Sequence, residues 1–230
     1  MEEKTYNILL TVILVIIGVA LMVGGGIIIH NLVNDKKIAD ENKDVVDKFV
    51  ASTKQNNNEA LDKDKIKDFD TKGPKNLYDP NNFDGKDSGS IIKNVKMENY
   101  NVIGVIKIPK INLEYPILEK VTKRSLEIAV AQLDTQRGIN NPGNTTILGH
   151  NYRNNLFFAK LHLLKAGDKV IITDVSGRVK TYEVYEIKSR TPSDTSYISR
   201  ETNGKVEISL STCNDDSTLR HVVLAREVER

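Results

Sequence analysis

Val206-Glu207-Ile208-Ser209-Leu210-Ser211-Thr212-Cys213 is an apolar, strand-like run that ends on the chain's one cysteine, and Arg220 follows seven residues later. A second such run, Asn144-Thr145-Thr146-Ile147-Leu148-Gly149-His150, lies upstream and closes on a histidine. A lone thiol cannot be half of an internal disulfide, so Cys213 is either a buried inert side chain or a nucleophile. Cysteine, histidine and a fixed cation are the minimum set for thiol acyl transfer. The thiolate attacks a carbonyl, an imidazolium protonates the leaving amine, and a guanidinium stabilises the oxyanion. His150, Cys213 and Arg220 are therefore the candidate catalytic residues.

Outward from these two runs, the chain from about Met97 has the pattern of one mostly β globular domain of some 130 residues, enough for a single core. Val102–Pro109, Tyr115–Leu118, Lys169–Thr173, Thr181–Ile187 and His221–Ala225 are further strand candidates. The turn signals Pro142-Gly143, Ala166-Gly167-Asp168, Ser176-Gly177 and Asn203-Gly204 separate them. Leu156-Phe157-Phe158-Ala159-Lys160-Leu161-His162-Leu163-Leu164 has helical spacing and is expected to pack one face on the sheet. Many short strands with regular turns predict a sandwich or a closed barrel, and in that reading His150 and Cys213 each sit at a strand end, where side chains from separate strands can meet at one rim.

The amino-terminal part is different in kind. Thr5 to Val33 carries no acidic or basic side chain other than His30, and Ile8 to Ile29 is dominated by Ile, Leu, Val and Gly. About 20 apolar residues cross a bilayer as a helix. The run exceeds the apolar stretch of a secretory signal and lacks a small-residue cleavage pattern, so it reads as an uncleaved anchor. Lys4 and the terminal amine precede it while Lys36 and Lys37 follow, so the charge count does not orient it. The chain thus divides into a short tail (1–7), a transmembrane helix (8–33), a polar tether (34–96) and a catalytic domain (97–230). The tether is rich in Asp, Lys and Asn and is read as partly disordered or marginally helical, with Val45, Val46, Phe49, Leu61 and Ile66 recurring loosely.

Charge excludes one class of partner. With 33 Lys and Arg against 31 Asp and Glu, the net charge is +2, which gives nucleic acid no electrostatic footing. No His or Cys cluster has metal-ligand spacing and the acids form no calcium-loop pattern, so no cofactor is expected and calcium is not indicated. His162 reads as a partly exposed helix residue. His221 follows Arg220 directly, so on a strand it faces the other way. Thr212 should likewise point away from Cys213, and Arg226 and Arg230 look like a solvated face. Asp134, Asn151 and Asp215 could each orient His150.

Ile106-Lys107-Ile108-Pro109-Lys110-Ile111, Pro116-Ile117, Gly149-His150, Phe158 with Leu161 before Gly167-Asp168, and Leu210-Ser211-Thr212-Cys213 followed by Arg220 together resemble a sortase. Sortases are the membrane-anchored cysteine transpeptidases of Gram-positive bacteria, and the resemblance covers roughly Ile103 to Val228. It implies an eight-stranded β-barrel with one or two short helices behind a transmembrane helix. His150 would follow one strand, Cys213 would end the seventh and Arg220 would start the eighth. It implies a cell-membrane protein with a cytoplasmic amino terminus and an extracellular catalytic domain. The implied partners are secreted proteins bearing an LPXTG-like C-terminal sorting signal, and an amine from a peptidoglycan precursor or a pilin lysine. Ser209 stands where many members have Thr. The short stretch between Ile187 and Val206 disfavours class B, and the absence of a second apolar span after Arg220 disfavours class C. Asp79-Pro80-Asn81-Asn82-Phe83 is similar to the class C lid but displaces its aromatic. A cysteine peptidase or peptidoglycan hydrolase with water as acceptor, and an anchored cell-wall-binding domain with an inert thiol, are the rival readings.

Overall fold

A computed structural model of the chain describes residues 2–59, 95–133, 138–152 and 154–228. The Asp79–Phe83 segment, Leu61, Ile66, Asp134 and Arg230 lie outside them. Residues 1–40 and 41–230 are two compact units. The first belongs to a helix, α1 (Glu2–Glu59), whose apolar part is long and apolar enough to cross a membrane. Its most apolar stretch has a mean hydropathy of 3.0 and is wholly exposed within the protein.

The second unit is a closed β-barrel. Its strands are β2 (Tyr100–Ile108), β3 (Leu113–Leu118), β4 (Val130–Gln132), β5 (Gly143–Leu148), β6 (Lys169–Asp174), β7 (Val179–Arg190), β8 (Val206–Cys213) and β9 (Arg220–Glu227). They run in the order β2-β3-β4-β5-β8-β9-β7-β6, and β6 pairs back onto β2 to close the sheet. The two-residue β1 (Lys96–Met97) adds to the edge of β2. The eight-stranded barrel expected from sequence is therefore present. Closure removes the sheet edges that would otherwise offer unpaired backbone groups. It needs tight approach where β2 meets β6: a Cβ on Gly104 would stand 2.7 Å from the Thr173 carbonyl oxygen.

Two short elements differ from the sequence reading. The Leu156–Leu164 run is not an α-helix but a series of turns ending in a 3-10 helix over Leu161–Leu163. Asn155 and Phe157 have φ of 67° and 49°, left-handed backbone that an α-helix cannot contain. The apolar side chains still do the expected work, since Phe157, Phe158 and Leu161 are all buried. The helix α2 (Lys123–Ile128) stands ahead of β4 where none was expected. It is started by a reciprocal cap in which the Thr122 hydroxyl accepts from the Ser125 N–H and the Thr122 N–H donates to the Ser125 hydroxyl.

Residues 41–59 of α1 belong to the barrel unit. Asn42, Val45, Val46, Phe49 and Thr53 are buried, a spacing of three and four residues that lines one helical face. Val45, Val46 and Phe49 join one cluster with Met97, Val102, Val105, Leu118 and Ile128. The Asn42 side-chain amide donates to the Ile128 carbonyl over 2.8 Å. A stretch whose composition reads as tether thus carries a packed apolar face. Phe49→Ala should lower the unfolding free energy by about 3 kcal/mol, the usual cost of truncating a buried aromatic. Lys48→Ala, on the exposed side of the same turn, should change it by less than about 0.5 kcal/mol. Urea unfolding of the detergent-solubilised protein measures both, and equal midpoints would show that this face carries no packing energy.

Candidate active site

The site follows from three strand registers. β8 and β9 are antiparallel with Thr212 opposite His221 and Cys213 opposite Arg220. Directly opposed residues share a face, so Cys213 and Arg220 stand together and Thr212 with His221 stand on the other side. β5 and β8 are parallel, with Leu148 aligned to Ser211, and the Gly149 N–H donates to the Ser211 carbonyl. His150 lies two residues beyond Leu148 as Cys213 lies two beyond Ser211. His150 and Cys213 thus both lie just past this aligned pair, at the same end of two neighbouring strands, and the charge of Arg220 reaches the His150 ring. β7 completes the row, since Arg190 is opposite Arg220 and pairs with Asp194 at 3.1 Å.

Arg220 Nη1 donates to the Cys213 sulfur. Both residues are half-buried, at the end of their strand pair. Negative charge on that sulfur would be stabilised by the guanidinium, and the thiolate is the nucleophilic form. His150 is held below the ordinary histidine range, chiefly by partial burial. The charge of Glu127 on α2 opposes that shift and the charge of Arg220 adds to it. His150 thus titrates between one cation and one carboxylate.

The loop after His150 folds back on it. The Phe158 N–H donates to the His150 carbonyl over 3.1 Å. A Cβ on Gly149 would meet the Phe158 ring at 2.8 Å, so glycine is what lets that ring pack against the backbone just before the histidine. The Tyr152 ring stacks on the imidazole with centroids 4.6 Å apart and planes 27° apart. Tyr152 in turn meets Phe157 edge-on at 5.8 Å, and Phe157 meets Tyr115 at 5.3 Å. The left-handed backbone of Phe157 costs a residue with a Cβ on the order of 1–2 kcal/mol. A hydrogen bond between the Tyr115 hydroxyl and the Phe157 backbone, and complete burial of the Phe157 ring, hold it there.

The other sequence candidates sort as follows. His221 is on the face away from Cys213, is held below the ordinary histidine range by burial, and meets the Leu161 backbone. Thr212 is buried on the same side, and its hydroxyl has no hydrogen-bond partner among the described residues. His162 is exposed with Nδ1 against the Ala159 carbonyl, so it takes no part. Asn151 donates to the Cys213 carbonyl at 3.2 Å and to Asp215 at 2.9 Å, which ties the His150 loop to the end of β8. Arg226 is not simply solvated, because its Nε donates to Glu207 over 2.5 Å. Glu127 and Tyr152 are neighbours of His150 that sequence reasoning did not select. Tyr152, an aromatic two residues past the histidine, carried the only readable signal. Among the described residues no three His, Cys, Asp or Glu side chains converge as metal ligands would.

A second network fixes the loop between β7 and β8. The Glu207 side chain is 1% exposed and receives Arg200, Arg226 and the Tyr185 hydroxyl. Burial works to raise its carboxyl, but the hydrogen bonds from Arg200 and Arg226 and the Arg200 charge hold it below the usual carboxylate range. Arg200 Nη2 reaches Asn144 on β5, whose amide donates to the Tyr197 and Ile198 carbonyls. The Ser211 hydroxyl donates to the Tyr197 hydroxyl, so the loop covers the face of β8 up to the residues preceding Cys213.

Comparison with known proteins agrees with this geometry. The family model described as a sortase domain matches residues 106–228. Sortase A of Bacillus anthracis is 28% identical over 90% of this chain and 91% of its own length. Sortase A of Streptococcus agalactiae is 26% identical over 96% of this chain and 84% of its own. Among solved structures, a Clostridium perfringens sortase D5 transpeptidase is 29% identical with a TM-score of 0.51, covering 56% of this chain and 79% of that one. The matched residues take in the barrel from the end of β2 through β9, including His150, Cys213 and Arg220: this chain belongs to the sortase family.

Proposed function

We propose that this sortase is a cysteine transpeptidase that cleaves an LPXTG-like sorting signal and transfers the upstream polypeptide to an amine. The observation that carries the reading is the Arg220 guanidinium on the Cys213 sulfur, at the end of β8 beside the end of β5 that His150 follows. The thiolate of Cys213 adds to the scissile carbonyl carbon. The carbonyl electron pair moves onto oxygen, and donors of the Arg220 fork stabilise that oxyanion. Collapse expels the amine as its nitrogen takes a proton from the His150 imidazolium, leaving a thioester on Cys213 and a neutral imidazole. An incoming amine then gives its proton to His150 as it attacks the thioester, and the thiolate departs. The acceptor is an amino group of a cell-wall precursor or a pilin lysine. The apolar helix supports membrane anchoring, and membership of the sortase family supports an amino terminus in the cytoplasm with the barrel outside.

Incubation with a panel of sorting-signal peptides, with and without an amine nucleophile, tests the reading by product mass. The expected product is the acyl–amine conjugate, absent with Cys213→Ala. Hydrolysis alone, unaffected by amine, would make the protein a peptidase instead. No cleavage of any peptide would count against the enzyme reading.

The opposed faces of β9 give a second test. His150→Gln should lower turnover by roughly 10²–10⁴-fold, the contribution of a positioned acid–base group. His221→Gln should stay within about twofold of the parent, since its ring faces away from the thiol. Reversed phenotypes would assign the base to His221.

For Arg220, loss of one oxyanion donor costs about 10²–10³ in turnover, so Arg220→Ala should depress kcat far more than it raises KM. Arg220→Lys should recover part of the rate, because an ammonium restores charge but not the planar fork. A guanidinium disfavours the nearby imidazolium, so Arg220→Ala in a Cys213→Ala background should raise the His150 titration midpoint. Glu127→Gln should lower it. An unchanged midpoint by NMR in both variants would mean that neither charge reaches the ring. A rise in KM alone would make Arg220 a docking residue.

A further inference from the structure

We propose that Tyr152 is a positioning residue for the catalytic imidazole, acting through its ring face rather than its hydroxyl. The inference rests on His150 being the acid–base group. Three observations meet at this side chain. Tyr152 is exposed although it is a large aromatic, and its face is committed to the His150 ring at 4.6 Å and 27°. Its edge is held at 5.8 Å by Phe157, whose own ring is fully buried against Tyr115. Phe157 keeps left-handed backbone to do so, and strain of that kind persists only where the surroundings over-determine it.

The result is a row of rings from the barrel wall to the reacting groups. Tyr115 on β3 fixes Phe157, Phe157 fixes Tyr152, and Tyr152 limits the tilt of the imidazole. The backbone of His150 is separately fixed by the Phe158 N–H. What that bond leaves free is rotation of the ring about its side-chain torsions. An imidazole that must protonate the leaving amine and later deprotonate the incoming one needs the same edge at the thioester throughout. A stacked neighbour supplies that constraint without occupying either ring nitrogen.

Steady-state kinetics of the full chain with a sorting-signal peptide and an amine test this, together with NMR of the His150 ring in a Cys213→Ala background. Tyr152→Leu should lower kcat by about twofold to tenfold, the range an aromatic pair's coupling converts to, with KM little changed. It should also remove the ring-current displacement of the His150 ring protons. Tyr152→Phe keeps the face and should retain both the rate and the displacement. The idea is overturned if Tyr152→Phe falls as far as Tyr152→Leu, which would assign the work to the hydroxyl. It is equally overturned if Tyr152→Leu changes KM alone, or changes neither rate nor ring signals. A wild-type rate for His150→Gln would instead remove the catalytic reading itself, so the two failures are distinguishable.

Discussion

The parallel pairing of β5 with β8 is the constraint on which the site depends. Side chains alternate across a strand, so a slip of one residue would send every side chain of β8 to the opposite face. Cys213 would then take the inward position of Thr212, away from Arg220 and His150. The register is pinned at both ends. At one end the Gly143 N–H donates to the Lys205 carbonyl, and the Ser209 hydroxyl reaches Asn144 across the pair at 2.9 Å. At the other the Gly149 N–H donates to the Ser211 carbonyl, and Asn151 holds the Cys213 carbonyl. Backbone ladders thus set where the thiol and the guanidinium stand, and the Arg220 bond to the Cys213 sulfur adds to them.

Around that frame the protein places polar groups where they close loops. Glu207 is buried at the start of β8, which costs desolvation, and two arginines and a tyrosine hydroxyl satisfy it. Removing one partner of such a group is expensive, which makes the network a sound fastening for the loop that crosses β8. The loop after His150 carries two left-handed residues close together, Asn155 and Phe157, where the chain turns back toward the histidine. The docked face of residues 41–59 supports α2 and β4, and α2 carries Glu127 toward His150. Packing distant from the thiol therefore reaches the charge that faces the imidazole.

Much of this was legible in the chain. Seven of the barrel strands announced themselves as apolar runs between turn residues, and Cys213, His150 and Arg220 stood out at strand ends. The three-residue β4 was too short to show any period. The Leu156–Leu164 run shows the limit of spacing: the apolar residues are buried as predicted, but positive φ at Asn155 and Phe157 prevents an α-helix. Asn42, Val45, Val46 and Phe49 had helical spacing within a composition that otherwise suits a solvated tether, so composition masked the pattern. Parallel pairing of β5 with β8 leaves no local trace in sequence, since it joins segments about 60 residues apart. The strand pattern could suggest that His150 and Cys213 meet at one rim, but not which strands lie side by side to bring them there.

The central claim is that the Cys213 sulfur carries the acyl group between donor and acceptor. The most direct measurement is intact-protein mass after a rapid acid quench of enzyme with a sorting-signal peptide and no amine, followed by peptide mapping. The account predicts a protein population heavier by the acyl portion of the peptide, mapped to Cys213 as a thioester that hydroxylamine removes. Turnover with no covalent adduct at any time, or an adduct mapped to another residue, would contradict it.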